Sequence, residues 1–466
     1  MKPVCFACGN AFHILVAFIL STTIYRDRRK ILLVTRSDRT VAFIRAAETL
    51  KIWNEVIVMD RGPVPADGGR LPEVVARIGR LHFFTWGSFP LVELLDRCIA
   101  AGVEVILTDE GIGTYNPTRR FSEILNNRLS RAGAPASVSL AGFKEIWLLE
   151  PRLFGESTTL PLRKIDIQAF YDACKRHPDI RASFIQLFGL DHPLRLAADV
   201  VYFRQYFAES HIHALSPQVD ALIDHRLCSY FRKANVWIKN HPVYSNENYS
   251  HAGTNLLGED MPWEALIIYS NLDNAGVVGL PKVHVSGTSS AMVSSAILGA
   301  TGDFVFTYRI LQRYSAVKLD TSMDDLIGGL RATYPLSTFA VPESWDELEG
   351  ELTRIAAKYR IPIELQEGAK VSWDDDVLRS VYGSDYAAAL EQSRRVQGLS
   401  VQVVEARRTG RELQQRLARK ARRARVLRAR LRHKERALHE IQGSRAWRLV
   451  TWLRQVRHRL ISARSR

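Results

Sequence analysis

The chain has 466 residues, of which 46% are hydrophobic and 24% are charged. This length predicts two domains with an added segment, and the composition excludes a wholly disordered protein. The formal net charge of +15 arises in residues 391–466, which hold 23 Lys/Arg and 5 Asp/Glu and so a net +18. The remaining chain carries a net −3, so it needs no polyanionic partner and we do not expect nucleic-acid binding.

The amino-terminal residues are predicted to form a strand at 3–8, a turn at Gly9-Asn10 and then a buried helix within 11–25. The apolar stretch is shorter than the ~20 residues that span a bilayer, and it contains His13. We therefore expect neither a membrane anchor nor a signal peptide here, and a cytoplasmic protein.

The five cysteines are scattered along the chain and odd in number, which is typical of reduced, intracellular thiols. Cys5 and Cys8 have C-x-x-C spacing, but no second Cys or His pair completes a zinc set. We expect these two cysteines to pack in the core, and we predict no metal site.

Short apolar runs alternate with helix-like segments in two parts of the chain. The runs are VCFAC (4–8), ILLVT (31–35), EVIVMD (55–60), LHFFTW (81–86), VEVILTD (103–109) and EIWLLE (145–150), and later NVWIKN (235–240), TNLLG (254–258), KVHVSG (282–287) and DFVFTY (303–308). This alternation predicts an α/β fold with parallel sheets. We place one Rossmann-like domain at 1–150, an irregular linking region at 151–215, and a second Rossmann-like domain at 216–390.

Asp109, Glu110 and Gly111 follow the fifth predicted strand of the first half. Ligands of such sheets bind beyond the carboxyl ends of the strands, so these carboxylates are candidates for chemistry in a cleft. The alternative is that one of them only caps the following turn.

His241-Pro242 follows the strand NVWIKN, and Pro242 fixes the turn so that the imidazole of His241 would point into the cleft. A single histidine at such a position can equally be structural.

Thr288, Ser289 and Ser290 follow the strand KVHVSG and open the helix AMVSSAILG. Hydroxyl and backbone N–H groups at a helix amino terminus bind anions such as phosphate. Ordinary capping of the helix would need only one of these hydroxyl groups.

Glu264 begins another helix, in Met261-Pro262-Trp263-Glu264. Glu in a first turn is stabilising without any ligand, whereas in other nucleotide folds an acidic residue binds the ribose hydroxyls.

The order of these elements, DEG, HP, P-x-E and a serine pair at strand ends of two Rossmann-like halves, resembles bacterial sialyltransferases and polysialyltransferases. The resemblance covers roughly residues 1–310. It implies a GT-B glycosyltransferase, in which an amino-terminal acceptor domain and a carboxyl-terminal donor domain face a cleft. It also implies inverting, metal-independent transfer of sialic acid, or a related nonulosonic acid, from a CMP-activated donor to a cell-surface glycan, with no further cofactor.

The resemblance also implies residue roles. Asp109 would be the general base, with Glu110 supporting it and Gly111 allowing close approach. His241, Ser289 and Ser290 would contact the donor phosphate, and Glu264 the ribose. Gly9 and Asn10 would form the first strand-to-helix turn, although this sequence departs there from the family's usual Thr-Pro-Phe-Gln pattern.

Two other functions stay open. A CDP-polyol phosphotransferase of the teichoic-acid type shares the HP and serine-rich elements. A non-catalytic scaffold for capsule assembly would use the tail for anchoring and oligomerisation, but would have no need of Asp109, His241 or the serine pair Ser289-Ser290.

The tail, 391–466, has two segments. Residues 410–442 carry leucines at 3–4 spacing, which predicts a short coiled coil and an oligomer, although a solvated basic helix is the alternative. Residues 444–460 combine Trp447 and Trp452 with arginines on an amphipathic helix, which is typical of binding to an anionic membrane surface. This segment also resembles the S-x-x-W-R-L endings of other bacterial polysaccharide glycosyltransferases. We expect a peripheral protein of the inner membrane.

Overall fold

The computed structural model describes residues 2–37, 40–60, 69–84, 89–115, 142–155, 158–190, 198–204, 223–224, 226–228, 230–231, 235–240, 255–256, 261–272, 279–313, 322–363 and 445–464. The chain divides into two compact units, Met1–Leu390 and Glu391–Arg466. His241, Pro242 and the coiled-coil segment 410–442 lie outside the described residues.

Seven parallel strands form the first sheet, in the order β3-β2-β1-β4-β5-β6-β7. They are β1 (Val4–Cys8), β2 (Lys30–Thr35), β3 (Glu55–Met59), β4 (Arg80–Phe84), β5 (Glu104–Thr108), β6 (Glu145–Leu148) and β7 (Leu162–Lys164). Every residue of β1 and β2 is buried, because helices cover both faces of a parallel sheet of this kind. The chain order reverses between β1 and β4, which places the switch point at the centre of the sheet.

The first sheet is accompanied by α1 (Ala11–Thr22), α2 (Val41–Leu50), α3 (Leu71–Arg77), α4 (Phe89–Ala100), α5 (Ile112–Tyr115), a 3₁₀ turn (Pro151–Leu153), α6 (Ile167–Arg176) and α7 (Pro178–Phe188). The predicted buried helix is confirmed as α1, which is buried from His13 to Thr22. Asn10 is its N-cap, since the Asn10 side-chain oxygen accepts a hydrogen bond from His13 N at 2.9 Å.

Six parallel strands form the second sheet, in the order β10-β9-β8-β11-β12-β13. They are β8 (Val200–Phe203), β9 (Val236–Lys239), β10 (Asn255–Leu256), β11 (Val283–Ser286), β12 (Asp303–Phe306) and β13 (Thr338–Ala340). The helices described with them are α8 (Trp263–Leu272), α9 (Ser290–Ile297), α10 (Tyr308–Arg313), α11 (Ser322–Thr333) and α12 (Trp345–Tyr359). The fold class predicted from the sequence, α/β with two Rossmann-like parallel sheets, is confirmed.

For the described residues of 151–215, the expectation of an irregular region is wrong. It contains β7 at the edge of the first sheet, the helices α6 and α7, and β8 at the centre of the second sheet. Asp166 caps α6 by accepting from the backbone of Gln168 and Ala169, and α7 ends at Gly189, which is left-handed. The two helices pack against α1 and α2, so they extend the first half.

The second sheet buries a different hydrophobic cluster on each face. On one face, Phe203 and Phe304 join Trp263 of α8 in a cluster that is continuous with the core of the first half. On the other face, Val285 and Val305 pack with Trp345 of α12. The first sheet and one face of the second therefore share a single core.

In the smaller unit the described residues form one helix, α13 (Arg445–Arg464). Trp447, Leu449, Trp452 and Leu453 are exposed on it. None of the described helices is both long and apolar enough to cross a membrane.

Candidate active site

Asp109 follows β5 at the carboxyl edge of the first sheet, and its side chain is 0% exposed. One carboxylate oxygen, Oδ1, accepts a hydrogen bond from Gly111 N at 2.8 Å. The other, Oδ2, accepts from Leu149 N at 2.9 Å and from the Tyr115 hydroxyl. Asp109 therefore joins its own loop to α5 and to the residue that follows β6.

Burial raises the pKa of Asp109 to about 6, although the hydrogen bonds from Tyr115, Leu149 and Gly111 act in the opposite direction. A carboxyl group with this pKa is mostly ionised at neutral pH and can still accept a proton, which suits a general base. In the described conformation, however, the Asp109 side chain is fully buried, so neither oxygen is open to an acceptor hydroxyl. The role of base stays a prediction for Asp109.

The two residues after Asp109 shape the turn into α5. Glu110 is buried, and its backbone N donates to Thr114 Oγ1 at 3.1 Å. Gly111 has a φ of 103°, a conformation that favours glycine. The turn is therefore built by backbone geometry as well as by the carboxylate of Asp109.

The serine-rich loop lies at the carboxyl edge of the second sheet, between β11 and α9. Ser289 is the N-cap of α9, and its Oγ accepts from Ala291 N at 3.3 Å. Thr288, Ser289 and Ser290 are all partly exposed. The capping alternative is therefore correct for Ser289, and the residue is partly exposed beside this hydrogen bond.

The two predicted motif loops meet directly. Ile112 N donates a hydrogen bond to Ser290 Oγ at 3.1 Å, across 178 residues of sequence. A Cβ atom on Gly111 would lie 2.8 Å from Ser290 Cβ and 2.9 Å from its Oγ, so only glycine fits there. The carboxyl edges of the two sheets are thus in contact at Gly111 and Ser290.

Glu264, in the first turn of α8, faces α9. Its Oε1 accepts from Ser294 Oγ at 2.6 Å, and its side chain is buried. Burial raises the pKa of Glu264, whereas the hydrogen bond from Ser294 lowers it. The structure brings Glu264 to the helix that carries the serine pair, and its ribose contact stays a prediction.

Gly9 and Asn10 lie at the end of β1, at the same edge as Asp109 and separated from it by β4, which corresponds to ~10 Å. Gly9 N donates to His13 Nδ1 at 3.0 Å, and burial lowers the pKa of His13 to about 3. His13 is therefore neutral and holds the turn. Gly9 and Asn10 have the strand-to-helix position that was predicted, and both Gly9 N and the Asn10 side chain form hydrogen bonds with His13.

A buried polar group beside the predicted HP motif was missed. Arg204, directly after β8, forms an ion pair with Asp224 and donates from Nη1 to Asn240 Oδ1 at 3.1 Å. All three are at most 7% exposed, and Asn240 directly precedes His241. The apolar run VVYF (200–203) before Arg204 is the signal that could have revealed this strand end.

Tyr115 and Leu149 were also missed as partners of Asp109. Tyr115 is visible in the sequence as the end of DEGIGTY, but nothing local shows that its hydroxyl turns back to Asp109. Leu149 contributes only a backbone N–H, which no residue type reveals.

Among the described residues, no group of three His, Cys, Asp or Glu side chains could hold a metal ion. Cys5 and Cys8 are buried in β1 as free thiols, and burial raises the pKa of both. They pack as part of the core.

No protein-family model and no curated protein matches the sequence. Among solved structures, the chain is similar to UGT89C1 of Arabidopsis thaliana complexed with quercetin, at 11% identity over 77% of this chain and 90% of that one, with a TM-score of 0.41. It is similar to the UDP-GlcNAc 2-epimerase of Methanocaldococcus jannaschii at 10% identity, over 82% of this chain and 100% of that one, with a TM-score of 0.40. It is similar to the E. coli ADP-heptose lps heptosyltransferase II at 12% identity, over 77% of this chain and 100% of that one, with a TM-score of 0.31. These similarities concern the course of the chain and extend to no ligand, substrate or activity.

Proposed function

We propose that this protein is a nucleotide-sugar glycosyltransferase whose donor phosphate binds at Thr288–Ser290 and whose acceptor approaches the Asp109–Gly111 loop. One observation carries the proposal: the hydrogen bond from Ile112 to Ser290 joins the two loops in which sequence reasoning separately placed proton transfer and phosphate binding. The carboxyl edges of two Rossmann-like sheets meet at this contact, which is where such folds bind their ligands.

The finer proposal is inverting transfer from a CMP-activated nonulosonic acid. The acceptor hydroxyl gives its proton to Asp109 while its oxygen forms a bond to the anomeric carbon. The bond from that carbon to the phosphate oxygen breaks, and CMP leaves with the electron pair. Thr288, Ser289 and the amino terminus of α9 would stabilise the charge on the departing phosphate, with His241 beside them.

This chemistry requires one local change at Asp109. Its side chain is 0% exposed, so the turn around it must open before an acceptor hydroxyl can reach a carboxylate oxygen. The Gly111 N–H belongs to the turn that contacts Ser290, since a Cβ atom on Gly111 would lie 2.8 Å from Ser290 Cβ. Binding of the nucleotide-sugar donor at Ser290 would therefore disturb the same turn that buries Asp109.

Calorimetric titration with CMP, CDP and UDP tests the proposal. We expect CMP to bind most tightly, and His241→Ala to weaken it about tenfold or more through loss of a charge-assisted contact. His177→Ala, which changes a histidine of the first half, is the matched control. Turnover of CMP-sialic acid supports the sialyltransferase, turnover of CDP-glycerol instead supports the polyol phosphotransferase, and absence of nucleotide binding supports the scaffold.

The same proposal places the protein on the cytoplasmic surface of an anionic membrane through α13. Leu449, Trp452, Leu453 and Val456 follow a 3–4 spacing on this helix, and three of them are at least 51% exposed. Arginines such as Arg448 and Arg454 are exposed beside them. Apolar and basic side chains in this pattern suit an interfacial helix.

Vesicle sedimentation tests the role of α13. On phosphatidylglycerol-containing vesicles, we expect the full chain to bind and a chain ending at residue 390 to remain in solution. Leu453→Ser should weaken binding more than Val450→Ser, because Val450 lies off the apolar stripe. Equal binding of the shortened and full chains would show that α13 is not the anchor.

A further inference from the structure

A hydrogen-bond chain links Asp109 to the second half of the larger unit. The Tyr115 hydroxyl donates to Asp109 and accepts from Glu150 N at 3.1 Å. The Glu150 carboxylate accepts from Arg152 Nε at 2.7 Å and, through Oε2, from the Tyr334 hydroxyl at 3.3 Å. Tyr334 lies between α11 and β13, so the chain of contacts crosses from the first sheet to the second.

The direction of the Tyr115 hydrogen bond is determined by its partners. A backbone N–H can only donate, so the Glu150 N–H must meet a lone pair of the Tyr115 oxygen. The hydroxyl hydrogen then has one polar direction left among its described partners, toward Asp109. Tyr115 is 1% exposed, so water does not compete for this hydrogen.

We propose that Tyr115 is a positioning residue for Asp109, holding one carboxylate oxygen in place and stabilising its ionised form. This inference rests on the proposed function, since it gives Asp109 a part in proton transfer. It adds a residue that acts on the proton affinity of the base without touching the substrate.

The charged groups around Asp109 agree with this assignment. Within its own loop, Glu110 raises the pKa of Asp109, and the hydrogen bond from Tyr115 lowers it. From the 3₁₀ turn, Glu150 faces Tyr115, and Arg152 lowers the pKa of Glu150 and so keeps it ionised. From the second half, Tyr334 is the group that reaches this cluster. Among these described neighbours, Tyr115 alone donates a side-chain hydrogen to Asp109.

The test is a pH titration of Asp109 in wild type and Tyr115→Phe, which removes the hydroxyl and keeps the ring. Infrared difference spectra of protein with carboxyl-labelled aspartate report the acid band, and Asp109→Asn identifies its contribution. We expect the Asp109 midpoint to move upward by about one pH unit in Tyr115→Phe, because the ionised form loses a donor. If kcat/KM is measured over the same range, its acidic limb should move with it.

Tyr308→Phe is the matched control, since Tyr308 is also buried and also donates to an aspartate, Asp324. It should leave the Asp109 midpoint unchanged. If Tyr115→Phe does not fold, 3-fluorotyrosine at position 115 keeps the shape and is a stronger donor, so the midpoint should move downward. An Asp109 midpoint that is the same in wild type and in the position-115 variants overturns the proposal.

Failure of the proposed function is distinguishable from failure of this inference. If wild type turns over no CMP-activated donor and the Asp109 midpoint still shifts in Tyr115→Phe, the glycosyltransferase proposal fails and Tyr115 remains the positioning residue. If turnover is observed and neither the midpoint nor the acidic limb moves, the enzyme stands and Tyr115 has only a packing role.

Discussion

The carboxyl edges of the two sheets handle their polar groups differently. At the first edge, Asp109 is fully buried and its oxygens hold three donors from the protein itself. At the second edge, Thr288, Ser289 and Ser290 are partly exposed at the start of α9. The first edge is a turn closed around a buried carboxylate, whereas the second has partly exposed residues at a helix amino terminus.

This difference fits the two roles, proton transfer and phosphate binding, that the proposed function gives to the two edges. A buried carboxylate changes its protonation strongly with its surroundings, because the low local dielectric amplifies each hydrogen bond. Hydroxyl groups of partly exposed residues at a helix amino terminus do not change their protonation in this way. They can exchange a water molecule for a phosphate oxygen. Under the proposed function, the first edge would serve proton transfer and the second would bind phosphate, and the two edges meet at Gly111 and Ser290.

Gly111→Ala should produce the largest effect at this contact. The substitution places a side chain at φ 103° and within 2.8 Å of Ser290 Cβ. Left-handed strain and overpacking together should lower the free energy of unfolding by about 2–4 kcal/mol, measured by urea denaturation.

Gly102→Ala is the control for Gly111→Ala. Gly102 also has a positive φ, 70°, but no atom lies within 4 Å of its added Cβ. We expect a loss of about 1–2 kcal/mol, from backbone strain alone. Equal losses of unfolding free energy in the two variants would mean that the two loops are not in close contact at Gly111.

Asp109→Asn should alter the pH dependence of stability. Burial raises the pKa of Asp109 from 3.8 to about 6, so between these values the folded state binds the extra proton. Wild-type stability should therefore fall as pH rises from about 4 to about 6, by up to about 3 kcal/mol. Unfolding curves over this range should show that slope in wild type and its loss in Asp109→Asn.

Asp303 in the second sheet gives the opposite sign. Burial acts to raise its pKa, but Lys358 and Arg354 bind the carboxylate and the net pKa is lowered. Its stabilisation is present above the unfolded pKa and is lost as pH falls through the folded pKa. The wild-type protein should thus lose stability as the pH falls, and Asp303→Asn should remove this part of the pH dependence. Asp303 is the first residue of β12 and so lies at the amino end of that strand, away from the carboxyl edge. The same sign in both variants would contradict the opposite pKa shifts of these two aspartates.

The sequence predicted ten of the described strands, because each of them contains a short apolar run. Each of the ten apolar runs corresponds to a strand, from Val4–Cys8 to Asp303–Phe306. Three of the described strands were missed. Leu162–Lys164 and Thr338–Ala340 are three-residue edge strands without a continuous apolar run, and Val200–Phe203 lies in a segment interpreted as irregular.

The site was predictable in position but not in its contacts. The rule that ligands bind at strand ends placed Asp109 and Ser290 at the carboxyl edges. It could not show that Asp109 accepts from Leu149, because that contact depends on the pairing of β5 with β6. Nor could any local pattern join Ile112 to a serine 178 residues away.

Ser290→Ala should have the smallest effect and is the most direct test of the contact between the edges. It removes the acceptor of the Ile112 N–H, which should lower the free energy of unfolding by about 1 kcal/mol. Ser289→Ala removes the cap of α9 and should lower the free energy of unfolding by a similar amount. The two variants should differ in where the loss appears. Amide hydrogen exchange in a peptide covering 107–115 should accelerate about fivefold in Ser290→Ala, since 1 kcal/mol changes a local opening equilibrium by about that factor. In Ser289→Ala the acceleration should be confined to the first turn of α9, because its hydrogen bond lies within that helix. Equal exchange of 107–115 in both variants would show that the DEG loop is ordered by Asp109 and Tyr115 alone, without help from the second sheet.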